Sequence, residues 1–160
     1  MRKMSRCQTI SLTLTILCLF SCARQPQKSS EKPAVTIPEW FDNDSLRTTY
    51  LYSEGVKIAA LADNRMEALP YFEKVLEIDS MHAPTHYQIG DMVVQDEPEK
   101  AVRHSVIAYQ SDSTNMDYLG LYGYALINVG DYTKARAVYE KLAKLEPHNN
   151  YNHQMLASLY

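Results

Sequence analysis

GDYTKARAVYEKLAKLEPHNN, residues 130–150, is the stretch that decides the fold. Its opening glycine can take the left-handed conformation that closes a helix, and the aspartate after it can cap the next helix. Its Pro147 marks the end of a structural unit. Two positions inside it, a small one at Ala135 and an apolar one at Leu142, have counterparts about one unit upstream. The stretch is therefore one copy of a repeat.

The repeat has a period close to 34 residues. We call a set of matching positions in successive units a track. The tracks, with intervals of 33 to 35 residues, are Ala68, Ala101 and Ala135; Val75, Ala108 and Leu142; and Gly55, Gly90, Gly123 and Ala157. Periods of this length are typical of helix–turn–helix arrays. Small residues let the two helices of a unit approach closely, and apolar residues at intervals of three and four give the second helix a stripe to bury. Because neither helix hides that stripe alone, stacked units stabilise one another.

These residues resemble the tetratricopeptide repeat family, whose motif has a small residue in its first helix (helix A), an alanine and an aromatic residue in its second (helix B), and a proline at the unit end. The units are residues 48–82, 83–115 and 116–149, followed by a partial unit at 150–160. The third unit fits the motif throughout. The first has the aromatic Phe72 at the aromatic position, whereas the second has Ser105 there. The resemblance implies an all-α fold: a right-handed α-solenoid of three repeats plus the first helix of a fourth, within an array at 39–160.

In that family the helix A positions line a concave face, so the resemblance implies a partner-binding groove. The positions that map to this face are Tyr52, Val56, Tyr87, Asp91, Gln95, Tyr124 and Asn128, with Gln154 and Ser158 beyond them. Rings and amides of this kind can grip an extended segment or a helix, although tyrosines can equally pack between hairpins. The lysine and asparagine pattern with which chaperone-binding relatives clamp a terminal carboxylate is absent, which disfavours a chaperone tail as the partner.

The N-terminus resembles a bacterial lipoprotein signal. Three basic residues precede an uncharged run at 10–20, which is too short to span a bilayer and is typical of a signal peptide. The run ends in Leu19, Phe20, Ser21 and Cys22, similar to the motif in which a small residue precedes a lipidated cysteine. The alternative is a plain secretory peptide cleaved near Ser21 or Ala23.

This second resemblance implies a signal peptide at 1–21, lipidation of Cys22 and a flexible linker at 22–38 that tethers the array to a membrane. The linker is polar and carries Pro26 and Pro33, a composition that does not order itself. Cys7 and Cys18 would leave with the signal, so no internal disulfide is expected. Because no aspartate follows Cys22, the resemblance implies an outer-membrane lipoprotein that faces the periplasm.

Charge and composition argue against other functions. Without residues 1–21 the chain has 13 basic and 19 acidic residues, a balance that disfavours nucleic acid. His82 and His86 are four residues apart, as in some metal pairs, but no cysteine is near them, and we predict solvated turn histidines and no metal. No nucleophile has an evident base, and no phosphate-binding loop follows a strand. We therefore expect no cofactor and no enzymatic activity.

Several local features give testable expectations. Asp44 or Ser45 should cap a first helix at about 46–62, with Trp40 and Phe41 packed on the first hairpin as a lid. In the next helix, Asn64 is the predicted cap, and Pro70 lies past the first turn if the helix starts there. Either that helix starts later or it is kinked, and we expect a kink.

The sequence as a whole predicts a lipid-anchored adaptor that binds a protein or peptide segment and scaffolds an assembly in the bacterial cell envelope. The alternatives are binding of a glycan or peptidoglycan strand through the groove tyrosines, and a non-catalytic N-terminal part of a larger envelope enzyme. The last helix, 150–160, exposes Met155, Leu156 and Leu159 with no helix B to cover them. We expect further chain, a partner or a second copy to cover that face, self-association included.

Overall fold

In the computed structural model, which describes residues 35–39 and 41–160, this part of the chain forms seven α-helices and one short 3₁₀ helix. In chain order they are α1 (Asp44–Leu61), the 3₁₀ helix (Arg65–Ala68), α2 (Leu69–Ile78), α3 (Ala83–Val93), α4 (Pro98–Ser111), α5 (Met116–Asn128), α6 (Tyr132–Leu145) and α7 (Asn150–Ser158). The predicted signal peptide, Cys22, most of the linker and Trp40 lie outside the described residues.

The helices pack in chain order as hairpins. Helix α1 packs on α2, α3 on α4 and α5 on α6, while α4 also contacts α5 and α6 contacts α7. Within 35–39 and 41–160 there is no strand, and no helix is long and apolar enough to cross a membrane. The predicted all-α array of helix hairpins is confirmed.

Close helix packing explains the small residues of the repeat. A methyl group added at Gly55 would lie 2.7 Å from Cε1 of Phe72, and one at Gly123 would lie 3.0 Å from Cε2 of Tyr139. The alanines of the matching track are fully buried: Ala68 at the end of the 3₁₀ helix, and Ala101 and Ala135 in helix B. The first and third hairpins therefore have room for their helix B aromatic rings only because helix A carries no side chain at the crossing.

Asparagine and aspartate side chains cap most of the helices. Asn43 Oδ1 accepts a hydrogen bond from the Leu46 N–H at 2.8 Å, so the cap of α1 is one residue earlier than the predicted Asp44 or Ser45. Asp131 accepts from the Lys134 N–H at 3.2 Å, as predicted, and follows Gly130, whose φ is +80°. These side chains satisfy helix N–H groups that have no partner within the helix.

The expected kink at Pro70 is wrong. Asn64 caps the 3₁₀ helix, with its Oδ1 accepting from the Met66 N–H at 3.0 Å. Helix α2 begins only at Leu69, so Pro70 lies in its first turn. A proline there removes no intrahelical hydrogen bond, whereas one in a helix interior costs about 3 kcal/mol or more. The later start is the less costly of the two arrangements.

The prediction that the histidines are solvated is wrong for His86, which is only 4% exposed. Its Nε2 lies 3.0 Å from the Ser80 carbonyl oxygen, and its Nδ1 lies 2.8 Å from Nδ1 of His104 on α4. Because a carbonyl oxygen only accepts, His86 Nε2 carries a proton, and in the neutral His86 ring Nδ1 accepts from His104. Burial, followed by the proximity of His86, lowers the pKa of His104 to about 4. The His104 ring is therefore neutral at pH 7.

The two ends of the array make partial contacts with the hairpins. The Phe41 ring lies 5.0 Å from that of Tyr50, so Phe41 packs on α1 as the lid prediction requires. On α7, the apolar side chains Met155, Leu156 and Leu159 are partly buried against the core of the third hairpin. The third hairpin thus covers part of the apolar face of α7.

Candidate binding groove

A cavity of about 400 Å³ lies between the helix A elements α3, α5 and α7. The side chains that these three helices contribute include Tyr87 and Asp91, Asp117 and Tyr124, and Tyr151 and Asn152. Helix B residues Tyr139 and Leu142 of α6 also line it. We call this cavity the groove.

Helical spacing brings its side chains to one face. Tyr87 and Asp91 are four residues apart on α3, and Asp117, Gly120 and Tyr124 follow one another on α5 at intervals of three and four. Residues at these intervals are neighbours on a helix surface. Gly120 has no atom within 4 Å of where a Cβ would lie, so it leaves space between the larger side chains.

Three of the seven predicted groove residues, Tyr87, Asp91 and Tyr124, line this cavity. Both rings also pack against the apolar side chains between the second and third hairpins, so a packing role and a groove position coexist. The other two polar residues connect those hairpins: Gln95 Nε2 donates to the Tyr124 hydroxyl, and Asn128 Nδ2 donates to the Val94 carbonyl at 3.0 Å.

Tyr52 and Val56 do not line the groove. Both pack against the buried cluster of Ala68, Phe72 and Ile89, and the Tyr52 ring lies 5.3 Å from that of His82 in an edge-on arrangement. The first hairpin therefore contributes core contacts at these positions.

Four further residues that line the groove are not among the predicted ones: Asp117, Glu146, Tyr151 and Asn152. Asp117 and Tyr151 are 34 residues apart, at equivalent positions in successive units. Applying the period to the first turn of helix A, and not only to its middle, would have found both. Glu146 lies at the end of a helix B, where no track of the repeat points to the groove.

The groove carries carboxylates and no basic side chain among its lining residues. Asp91 Oδ2 accepts from Nη2 of Arg65 at 2.6 Å, an ion pair whose partners are both partly exposed. Glu146 Oε2 accepts from Nδ2 of Asn149 and of Asn152, each at 2.9 Å. Two carboxylates are thus held in place by hydrogen bonds.

The hydroxyls of Tyr87 and Tyr139 in the groove stay protonated at neutral pH. Burial raises the pKa of Tyr87, and the nearby carboxylates of Asp91 and Asp117 raise it further. Burial also raises the pKa of Tyr139, with Tyr151 as a further cause. The groove therefore offers aromatic faces and hydrogen-bonding groups, which suit the binding of a polar segment.

Comparison with known proteins relates this geometry to a family. Residues 117–149, which span most of α5 and all of α6, match the tetratricopeptide repeat family model. No curated protein matches the chain at a significant level in sequence. Many solved structures do match it in fold.

Three similar structures are tetratricopeptide repeat (TPR) domains. The second TPR domain of human RPAP3, in complex with the HSP70 peptide SGPTIEEVD, aligns with a TM-score of 0.63 and 16% identity over 73% of this chain and 98% of that one. The TPR domain of Arabidopsis OM64 aligns with a TM-score of 0.64 and 14% identity, covering 73% and 97%. The first TPR of Spaghetti (RPAP3), bound to the HSP90 peptide SRMEEVD, gives 0.64 and 17%, covering 72% and 91%. The chain thus has the fold of a TPR domain, and its residues 117–149 match the tetratricopeptide repeat family.

Proposed function

We propose that the chain is an adaptor that binds a segment of another protein in the groove between α3, α5 and α7. The observation that carries this proposal is the cavity of about 400 Å³ on the helix A face, lined by Tyr87, Asp91, Tyr124 and Tyr151. A cavity of this size takes a few side chains of a partner, and aromatic rings supply large contact area with little loss of rotamer freedom.

Binding fits the groove better than catalysis does. None of its lining residues is a cysteine, serine or histidine, and two of its three carboxylates, Asp91 and Glu146, are engaged by Arg65 and by two asparagines. Two of the similar TPR domains are described with a peptide bound, which supports a peptide segment as the kind of ligand.

The proposal includes a place for the adaptor. Cleavage before Cys22 and lipidation of Cys22 would tether the array to the outer membrane, facing the periplasm, through the polar linker at 22–38. A tethered array would hold its partner at the membrane and so scaffold an envelope assembly.

Photo-crosslinking in the native bacterium tests the groove. A benzophenone amino acid replaces Tyr151, which lines the groove and is 54% exposed, or Tyr132, which does not line it and is 58% exposed. We expect a discrete protein adduct from position 151 and none from position 132. Equal adducts from both positions would mean that the groove is not the working surface, and labelling of cell-wall polymer would favour the glycan alternative.

The anchor needs its own test. In cells grown with an alkyne fatty acid, the parent chain should carry the label and be found in the membrane fraction. The Cys22→Ser variant should carry no label and should be absent from the membrane fraction. Cys18→Ser is the matched control, because that cysteine lies within the predicted signal peptide. Labelling that survives Cys22→Ser would refute the anchor and leave the groove proposal intact.

A further inference from the structure

Basic side chains are segregated away from the groove helices. Helices α3, α5 and α7 contain no lysine or arginine. Helices α2, α4 and α6 hold seven: Lys74, Lys100, Arg103, Lys134, Arg136, Lys141 and Lys144. The face that α3, α5 and α7 present is therefore acidic, while α2, α4 and α6 carry cations. Helix α1, which does not line the groove, carries Arg47 and Lys57.

The carboxylates of the groove are only partly compensated. Asp117 and Glu146 form no ion pair within the described part of the chain, whereas Asp91 is paired with Arg65. Two negative charges therefore face a cavity with no cation in its lining. A ligand with positive charge would gain from both of them, and a negative ligand would be repelled.

The aromatic walls favour the same kind of ligand. Tyr87, Tyr124 and Tyr151 line the groove beside these carboxylates, and the faces of tyrosine rings attract ammonium and guanidinium groups. Elsewhere in the chain the same pairing occurs, with Arg136 lying 5.4 Å from the ring centre of Tyr160.

Arg65 shows how such a cation sits at the edge of the groove. Its guanidinium, from the 3₁₀ helix, lies 2.6 Å from Asp91, and its side chain is 51% exposed. Because exposed ion pairs contribute little to stability, a partner's guanidinium can replace that of Arg65 at small cost.

We infer that the groove binds a protein segment that presents lysine or arginine side chains, with Asp91, Asp117 and Glu146 as their acceptors and the tyrosines as their aromatic walls. The inference rests on the proposed function. It separates this groove from those of the two similar domains with bound peptides, whose ligands SGPTIEEVD and SRMEEVD each end in two glutamates, a valine and an aspartate. Such tails would place like charges together here.

Fluorescence anisotropy with the purified chain tests the inference. The probes are three end-blocked, fluorescein-labelled peptides of one length in a Gly/Ser background, containing three arginines, three glutamines or three glutamates. We expect the arginine peptide to bind most tightly and the glutamate peptide least, with affinity for the arginine peptide falling as salt rises. An arginine peptide that binds no more tightly than the glutamate peptide overturns the inference.

Two charge-matched variants separate the groove from the net charge of the chain. Asp117→Asn removes a groove carboxylate, and we expect it to weaken the arginine peptide about three-fold. Glu99→Gln removes an exposed carboxylate on α4, outside the groove, and should leave affinity unchanged. Equal effects of both variants would mean non-specific attraction and would overturn the inference.

The crosslinking experiment distinguishes the two proposals. An adduct from position 151 together with no preference for arginine leaves the adaptor in place and refutes only the cationic ligand. If the crosslinked partner contacts position 151 with an acidic segment, the adaptor also stands and the cationic ligand is refuted. Unfolding curves of Asp117→Asn by circular dichroism establish that the variant is folded before its affinity is compared.

Discussion

Replacing Gly55 by alanine puts a methyl group into the closest helix crossing of the first hairpin. The new Cβ would lie 2.7, 3.0 and 3.1 Å from three ring carbons of Phe72. Phe72 is fully buried, so its ring has no open space to move into. The substitution must therefore shift either the ring or the two helices.

The expected effect follows from two opposing terms. Overpacking a well-filled core costs about 1–3 kcal/mol, and three short contacts with one ring place this site near the upper end. Alanine in a helix interior is favoured over glycine by about 0.5–1 kcal/mol. We therefore expect Gly55→Ala to lower the free energy of unfolding by about 1–2 kcal/mol.

Gly120→Ala is the matched control, because it makes the same change inside a helix where nothing lies within 4 Å of the new methyl group. Only the propensity term remains there, so this variant should gain about 0.5–1 kcal/mol. Urea unfolding followed by circular dichroism at 222 nm measures both variants.

A double-mutant cycle with Phe72→Leu tests the cause. The smaller side chain should cost less in the Gly55→Ala background than in the parent, because it removes the clash. If Gly55→Ala is as stable as the parent, or if the cycle shows no coupling, the Phe72 ring is not the reason for a small residue at position 55, and this explanation is refuted.

Three further predictions concern the histidine pair, a cap and the proline. Lowering the pH from 6.5 to about 4 should reduce the free energy of unfolding by about 1–2 kcal/mol through His104, because His104 takes up a proton more readily in the unfolded state than in the folded state. The full difference in pKa corresponds to about 3 kcal/mol, and the partial exposure of the ring reduces that figure. His104→Gln should flatten that part of the urea-midpoint profile relative to the parent, and parallel profiles would contradict the assignment. Asn115→Ala should cost about 1 kcal/mol in thermal unfolding, since Asn115 Oδ1 accepts from the N–H groups of Asp117 and Tyr118 at 3.0 and 3.2 Å; an unchanged midpoint would mean that water replaces the cap. Pro70→Ala should change stability by at most about 1 kcal/mol, whereas a gain near 3 kcal/mol would place Pro70 in a helix interior.

Side-chain contacts between residues far apart in sequence were not predicted. From its neighbours in sequence, His86 is predicted to be a solvated turn histidine. In the structure it is buried and contacts His104, eighteen residues away on the other helix of the hairpin. Gln95 and Asn128 occupy groove positions by pattern, yet their side chains bond across hairpins to Tyr124 and Val94. Such pairings depend on how helices are offset along each other, which periodicity does not specify.

The sequence by itself determined the helix hairpins and their number, because a 34-residue period and a 3.6-residue helical repeat are properties of the chain read in order. It also placed small residues at the helix crossings, where Gly55 and Gly123 meet aromatic rings. Only the tertiary structure decided which side chains form the groove, since α3, α5 and α7 come together only when α3 and α5 have packed on α4 and α6, and α7 on α6. The acidic character of that groove follows from this packing, because it brings Asp91, Asp117 and Glu146 from three different helices and turns to one cavity.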